Sequence, residues 1–488
     1  MWFLGRWIVA VGLIAGLTSP VAAEEEVELL TEVPADAVWT PTETMDGTTL
    51  GLETPLEGNP SKALAHFHAR LKHLEDGGKG KVRVVVYGAS HMAADSFTKN
   101  LRRRLQGQFG NAGPGFVVGA KPWRNYNNRD VKISYDGRWK SSFVSKFSGR
   151  SDGLYGFAGV SWASDRKFDF SRFETQSKGD WGRQFSEVEV YYWAQPKGGD
   201  FYVVIDGKRK RVRTRSRRGK AGYARFNLDD TAHRIELRPR GNGEVRFFGV
   251  SLERNVPGVV MDTVGINGAR AQAHLEWQDD LYTEHMQKRQ PDLLILAYGT
   301  NATGDKDDPI AAYERRFERV IKKARKAAGD ASCVYIGPSD RPIKIGPYDV
   351  VPELAKRLLK EQDRHSDLRK IFPRAKNKKK RRRRASRKKQ KKIRTAPLFF
   401  QPRPRQAQVI DVQRRISIKH GCAYWDWNAM MGGGLSMLKW VHAKPRLGSK
   451  DYIHHNRAGY KRASDLFWDA LMSGYSSKVA TSNDGDKR

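Results

Sequence analysis

The chain has 488 residues, a formal net charge of +35 and only two cysteines. That length allows two or three domains with a real core, and two cysteines exclude the disulfide framework of a small secreted scaffold. The charge is unevenly spread: Arg374–Arg394 holds 15 Lys/Arg and Lys208–Lys220 holds nine, neither with an acid, so contact with a polyanion competes with the plainer reading of solvated runs.

Residues 1–23 have the form of a secretory signal peptide, with Arg6, an apolar run from Trp7 to Leu17 and the small-residue site Val21-Ala22-Ala23. The run is too short and too poorly flanked to span a membrane, and no cysteine stands near the cleavage site. The expectation is an exported, periplasmic protein without a membrane span after cleavage. Its basic runs would meet anionic envelope polymers or lipid head groups, and nucleic acid is not expected as a partner.

Residues 24–60 are acidic, contain Pro and Thr, and read as a linker or arm. Ser61–Glu75 predicts a helix with Ser61 as N-cap and Leu64, Phe67, Leu71 and Leu74 on one face. His66 and His68 lie two apart, off a common face, and are not expected to bind metal. Val82–Val86 predicts a buried strand. It ends in Gly88-Ala89-Ser90-His91, and a helix with Phe97, Leu101, Leu105 and Phe109 on one face follows. Strand, turn and helix would hold Ser90 at a helix N-terminus on the carboxyl edge of a parallel sheet, where such sheets bind ligands. An ordinary βα turn with a Ser cap would look the same.

From about Trp123 to Glu253 short alternating runs separated by Gly, Asp and Asn predict an inserted β-sandwich. Trp162, Trp181, Tyr191, Tyr192 and Trp193 belong to it, as core residues before a carbohydrate-stacking face. Strands and helices then alternate: a turn at Gly265-Ile266-Asn267-Gly268, a helix over 271–287, a strand Leu293–Tyr298 ending in Gly299-Thr300-Asn301, a helix over 311–328 and a strand Val334–Gly337. This alternation predicts a parallel three-layer α/β/α domain. The basic run 371–404 interrupts it as a structureless insertion. Ala423-Tyr424-Trp425, a Gly-rich turn, a last helix over 458–474 and a polar tail from 476 complete the chain. Cys333 and Cys422 each begin a strand-like run. Neighbouring strands would bring them together, but two buried thiols are at least as well supported, and the pairing stays open.

Asp451-Tyr452-Ile453-His454 opens the loop before the last helix. A carboxylate three residues before a His can hold the imidazole at Nδ1 and leave Nε2 to take a proton from a Ser. Alone the spacing is weak; its value lies in the order of Ser90, Gly268, Asn301 and Asp451/His454. With these four blocks the sequence resembles the SGNH/GDSL hydrolase superfamily over residues 61–124 and 255–475, with the sandwich inserted at 125–254. The resemblance implies Ser90 as nucleophile, His454 as base, Asp451 as its orienting acid, and an oxyanion hole from Ser90 N–H, Gly268 N–H and the Asn301 side chain, with no metal or cofactor. His91 after the Ser, LQGQFGNAGPGF and WDWNAMMGGGLSMLKW narrow it to exported bacterial peptidoglycan O-acetylesterases. Ala89 departs from the Asp that the family usually has there. His455 and Asp426 are reserve candidates for the base and the acid. An O-acyltransferase with the same triad and a non-catalytic wall-binding protein stay open as alternatives.

Overall fold

The computed structural model describes residues 45–476 except 121, 124–125, 145–148 and 346–398. The expected signal peptide, the first half of the acidic arm, the basic insertion up to 398 and the tail from 477 lie outside the described residues. Contacts divide the chain into two units; the described part of the smaller, Lys344–Ile345 and Phe399–Phe400, lies in a two-stranded sheet. All other described elements belong to the larger. At the end of the run 371–404 the structureless reading does not hold, because Phe399–Gln401 form a strand and Pro404 starts a helix.

Five strands build the central sheet: β1 (Lys81–Gly88), β2 (Gly258–Gly265), β3 (Leu293–Ala297), β4 (Ser332–Ile336) and β5 (Ala423–Trp425). All pair in parallel in the order β2-β1-β3-β4-β5. The chain leaves β1 toward β2 on one side and returns to β3 on the other, so the carboxyl ends of β1 and β3 flank the point where ligands bind in open α/β sheets. Both faces are buried, which explains why the strands read as unbroken apolar runs. Side chains alternate between faces. Val82, Val84, Val86, Ile295 and Trp425 point to a layer formed by helices α1 (Pro60–Glu75), α3 (Phe97–Phe109) and α9 (Arg457–Met472). Val85, Tyr87, Leu294, Leu296 and Tyr335 point to the other, where α4 (Asp279–Arg289), α5 (Ile310–Ala328) and α6 (Pro404–Lys419) pack.

That second core runs without a break into two antiparallel sheets. One orders its strands as 220–231, 185–194, 245–253, 160–164 and 140–143; the other as 132–136, 170–174, 234–239, 200–205 and 208–213. Phe201 of one sheet meets Phe247 of the other edge-on at 4.8 Å. The sandwich begins earlier than its composition suggests, because Gly115–Val117 pairs with Leu252–Val250. Trp162 and Tyr191 are buried core residues, while Tyr192 and Trp193 are only partly covered. Arg289, Lys81 and Arg83 of the α/β domain meet Glu253 of the sandwich in a nearly buried ion network.

One open reading is settled and one changes. Cys333 and Cys422 form a disulfide. β4 pairs with β5 so that Val334 faces Ala423, which sets the preceding pair of residues directly opposite, with Cα atoms 4.5 Å apart. The arm is packed from residue 45 onward: Leu50 and Leu56 join the core and the Thr54 carbonyl accepts from Trp425 Nε1. Asn59, not Ser61, caps α1, with Pro60 in the first turn.

Candidate active site

β1 ends at Gly88, and the chain turns so sharply that Ser90 starts a single helical turn, α2 (Ser90–Ala93). Glycine is needed at the ends of β1 and β2 because a Cβ at Gly88 would collide with Met92 and one at Gly265 with the Ala93 backbone. Ile266 N–H donates to the Gly88 carbonyl at 2.9 Å and locks the two strand ends together. The long helix expected directly behind Ser90 is broken. Asp95 has φ +50°, and its carboxylate is engaged by Thr98 Oγ1, Arg102 and Arg129 N–H. Ser90 therefore sits on one turn, not on the macrodipole of α3. Its own N–H still belongs to the first helical N–H groups, which lack an intrahelical acceptor.

The structure brings Ser90, His454 and Asp451 together. Ser90 Oγ lies 2.8 Å from His454 Nε2. His454 Nδ1 lies 2.7 Å from Asp451 Oδ2, and Asp451 Oδ1 accepts the N–H groups of Ile453 and His454 at 3.0 Å each. Burial opposes ionisation of Asp451, but these three hydrogen bonds outweigh it and hold the carboxyl well below its usual range. Tyr452 adopts φ +59° between the two and its hydroxyl meets His442 Nε2 at 3.1 Å.

β1 is flanked by β2 and β3 with Gly88 level with Gly265 and Ala297, so Ser90, Gly268 and Asn301 follow adjacent strand ends. Gly268 has φ +73° and an open surrounding; glycine is demanded there by conformation rather than by space. Asn301 Nδ2 donates to the Ala269 carbonyl at 3.0 Å. This ties the third block to the second and uses one of two amide protons.

His455 is not part of this group. It is buried, stacks on Trp427 at 5.6 Å and 9°, and burial lowers its pKa to about 3. Asp426 caps the short helix α7 (Trp427–Met431) through Ala429 N–H and pairs with Arg414, so its role is structural. His66 and His68 are apart, on Asp292 and the Leu471 carbonyl. Among the described residues no group of three or more His, Cys, Asp and Glu is gathered as a metal site.

A buried string that the sequence did not reveal stands behind Ser90. His91 Nδ1 meets Tyr460 OH at 2.9 Å and His91 Nε2 meets Ser339 Oγ at 3.0 Å. Ser339 Oγ is 3.2 Å from Thr300 Oγ1, beside Asn301. Burial above all holds His91 well below its ordinary pKa and therefore neutral. One neutral ring can donate at one nitrogen and accept at the other, so hydroxyls on both sides satisfy it. This string, with the Gly88 bridge, braces the turn in which Ala89 supplies no polar side-chain atom. Only the position of His91 next to Ser90 hinted at it.

Residues 231–462 match the GDSL-like lipase/acylhydrolase family model. The match contains Gly268, Asn301, Asp451 and His454; Ser90 precedes it because the sandwich intervenes. No curated protein sequence matches the chain. Among solved structures the chain is similar to "Peptidoglycan O-acetylesterase in action", at 20% identity and a TM-score of 0.62, covering 86% of this chain and 99% of that one. A family two carbohydrate esterase from Cellvibrio japonicus aligns at 12% identity and a TM-score of 0.17 over 49% of this chain and 85% of that one. The salicylyl-acyltransferase SsfX3 aligns at 12% identity and a TM-score of 0.27, over 71% and 95%. Residues 231–462 thus form a GDSL-like lipase/acylhydrolase domain, on a parallel-sheet fold that the chain shares with the first of these structures.

Proposed function

We propose that the protein is an exported serine esterase that removes O-acetyl or another small acyl group from an envelope polysaccharide, with peptidoglycan as the first substrate to test. The observation that carries the chemistry is the continuous Ser90–His454–Asp451 hydrogen-bond chain. Ser90 Oγ attacks the acyl carbonyl as His454 Nε2 takes its proton. Asp451 holds the imidazole in the tautomer with the proton on Nδ1 and stabilises the imidazolium. Ser90 N–H, Gly268 N–H and Asn301 Nδ2 face the carbonyl oxygen as it gains charge. His454 then protonates the departing sugar oxygen, and water, deprotonated by His454, releases the acyl group from Ser90. The N-terminal segment supports export to the periplasm, and the fold shared with an enzyme described as a peptidoglycan O-acetylesterase supports the substrate.

The test compares wild type with Ser90→Ala on 4-nitrophenyl acetate and then on O-acetylated peptidoglycan, with the de-O-acetylated polymer as control. The expected result is acetate release by the wild type alone and only from the acetylated polymer. Turnover that survives Ser90→Ala would refute the mechanism. Turnover of the simple ester without release from peptidoglycan would refute the substrate. An intact Ser–His contact despite Ala89 supports catalysis over a purely binding role.

A further inference from the structure

Lys208–Arg213 is the outer strand of the second sandwich sheet, paired on one side only, with Asp200–Ile205. Its sequence is Lys-Arg-Lys-Arg-Val-Arg, and the segment behind it adds Arg215, Arg217, Arg218 and Lys220, all nine cations being exposed. Strand geometry puts Arg209, Arg211 and Arg213 in one row at steps of about 7 Å. Among the described residues only Arg211 of the nine has a carboxylate partner, Asp200.

The row extends across the sheet. Tyr202 lies opposite Arg211 and Arg238, and its ring is flanked by the guanidinium groups of Arg209 and Arg240 at 6.0 Å each. Arg238 and Arg172 both stack on Phe170, at 4.9 and 4.7 Å. Blunting an edge strand against aggregation requires only a few charges on the strand itself. It does not require arginines set against rings three strands further in, nor eight like charges without a carboxylate partner among the described residues.

We propose that this face binds an anionic, carboxylate-bearing glycan polymer. The proposal rests on the esterase reading, since the polymer held here is the one presented to Ser90. Guanidinium groups engage carboxylates through paired N–H donors, and Tyr202 offers a ring with a polar tip to a sugar face. A regular row of cations fits a chain with repeating charges better than a single small anion.

The experiment uses full-length Ser90→Ala protein, so the polymer stays intact and no turnover is needed. Binding to peptidoglycan sacculi and to polygalacturonate is measured by co-sedimentation and calorimetry, with dextran as the neutral control. The variant combines Arg209→Ser, Arg213→Ser, Arg217→Ser and Arg218→Ser. A second variant removes four exposed cations from α5, Arg315→Ser, Arg319→Ser, Lys322→Ser and Lys326→Ser. The expected result is binding to both anionic polymers but not dextran, weakened about tenfold or more by the first variant only, and falling with salt. Unchanged thermal midpoints show that both variants fold. Equal loss in both variants would reduce the effect to net charge and overturn the proposal. So would unweakened binding in the first variant, or a preference for single-stranded DNA or anionic vesicles over polygalacturonate. An inert Ser90 in the esterase assay would leave this result standing.

Discussion

Replacing Asp451 by Asn tests how His454, the proposed catalytic base, is controlled. Asp451 Oδ1 accepts two backbone N–H groups at 3.0 Å each, and Oδ2 faces His454 Nδ1 at 2.7 Å. The Asn carbonyl oxygen must take the Oδ1 position, because an amide nitrogen there would confront two donors and leave both N–H groups without an acceptor. The amide nitrogen then faces His454 Nδ1, which becomes an acceptor, and the proton moves to Nε2. That nitrogen is 2.8 Å from Ser90 Oγ and can no longer act as a base. A wrong tautomer of this kind lowers kcat by about 10⁴ in the well-studied triads, which corresponds to about 5.5 kcal/mol of transition-state stabilisation. The fold is expected to persist, since both backbone bonds remain. Turnover of 4-nitrophenyl acetate at neutral pH is the assay, with Asp426→Asn as the control that removes a carboxylate outside the triad. Asp451→Asn with kcat within tenfold of wild type would refute the assignment, and so would a larger loss in Asp426→Asn.

Asn301→Ala removes a proposed oxyanion donor and the anchor of the Ala269 carbonyl; kcat is expected to fall roughly 10²–10³-fold, read by steady-state kinetics, with the change mainly in kcat and not in KM. The disulfide closes a separation of 89 residues, so Cys333→Ala with Cys422→Ala is expected to lower stability by about 4–5 kcal/mol in the chain-entropy account, measured by denaturant unfolding beside reduced wild type. Asp340 is buried, and desolvation raises its pKa to about 6 despite the Met437 N–H that it accepts. Its folded pKa lies above the unfolded value, so its contribution to stability is complete below about pH 4 and is lost as the pH rises through about 6. Asp340→Asn, which keeps an acceptor for Met437 N–H, is expected to be more stable than wild type above pH 6 by on the order of 2–3 kcal/mol and to flatten that part of the pH–stability curve.

Local chemistry makes much of the site legible in the sequence. The apolar run ending in Gly88, the Ser directly behind it and the Asp451–His454 spacing are each encoded within a few residues, and so are the later strand ends that carry Gly268 and Asn301. Periodicity likewise exposes the central sheet and the inserted sandwich, because burial on both faces or on one leaves different alternation in the strands. Where competing residues lie close together, three-dimensional packing chooses between them: His454 faces Ser90, whereas His455 turns into Trp427 and Trp440.

What the sequence by itself determined is therefore the fold class, the order of the blocks and the identity of the residues that meet at the carboxyl edge of the sheet. Only the tertiary structure decided the Cys333–Cys422 bridge, since it depends on the register of β4 against β5 across 89 residues. The same holds for the break at Asp95, whose left-handed backbone is held by Arg102 and by Arg129 N–H from the approach to the sandwich. It holds too for the string from Tyr460 through His91 to Ser339, drawn from three distant parts of the chain. Propensity and spacing act over a few residues. Hydrogen bonds and disulfides between remote segments depend on strand order and register, which emerge only when the whole core packs.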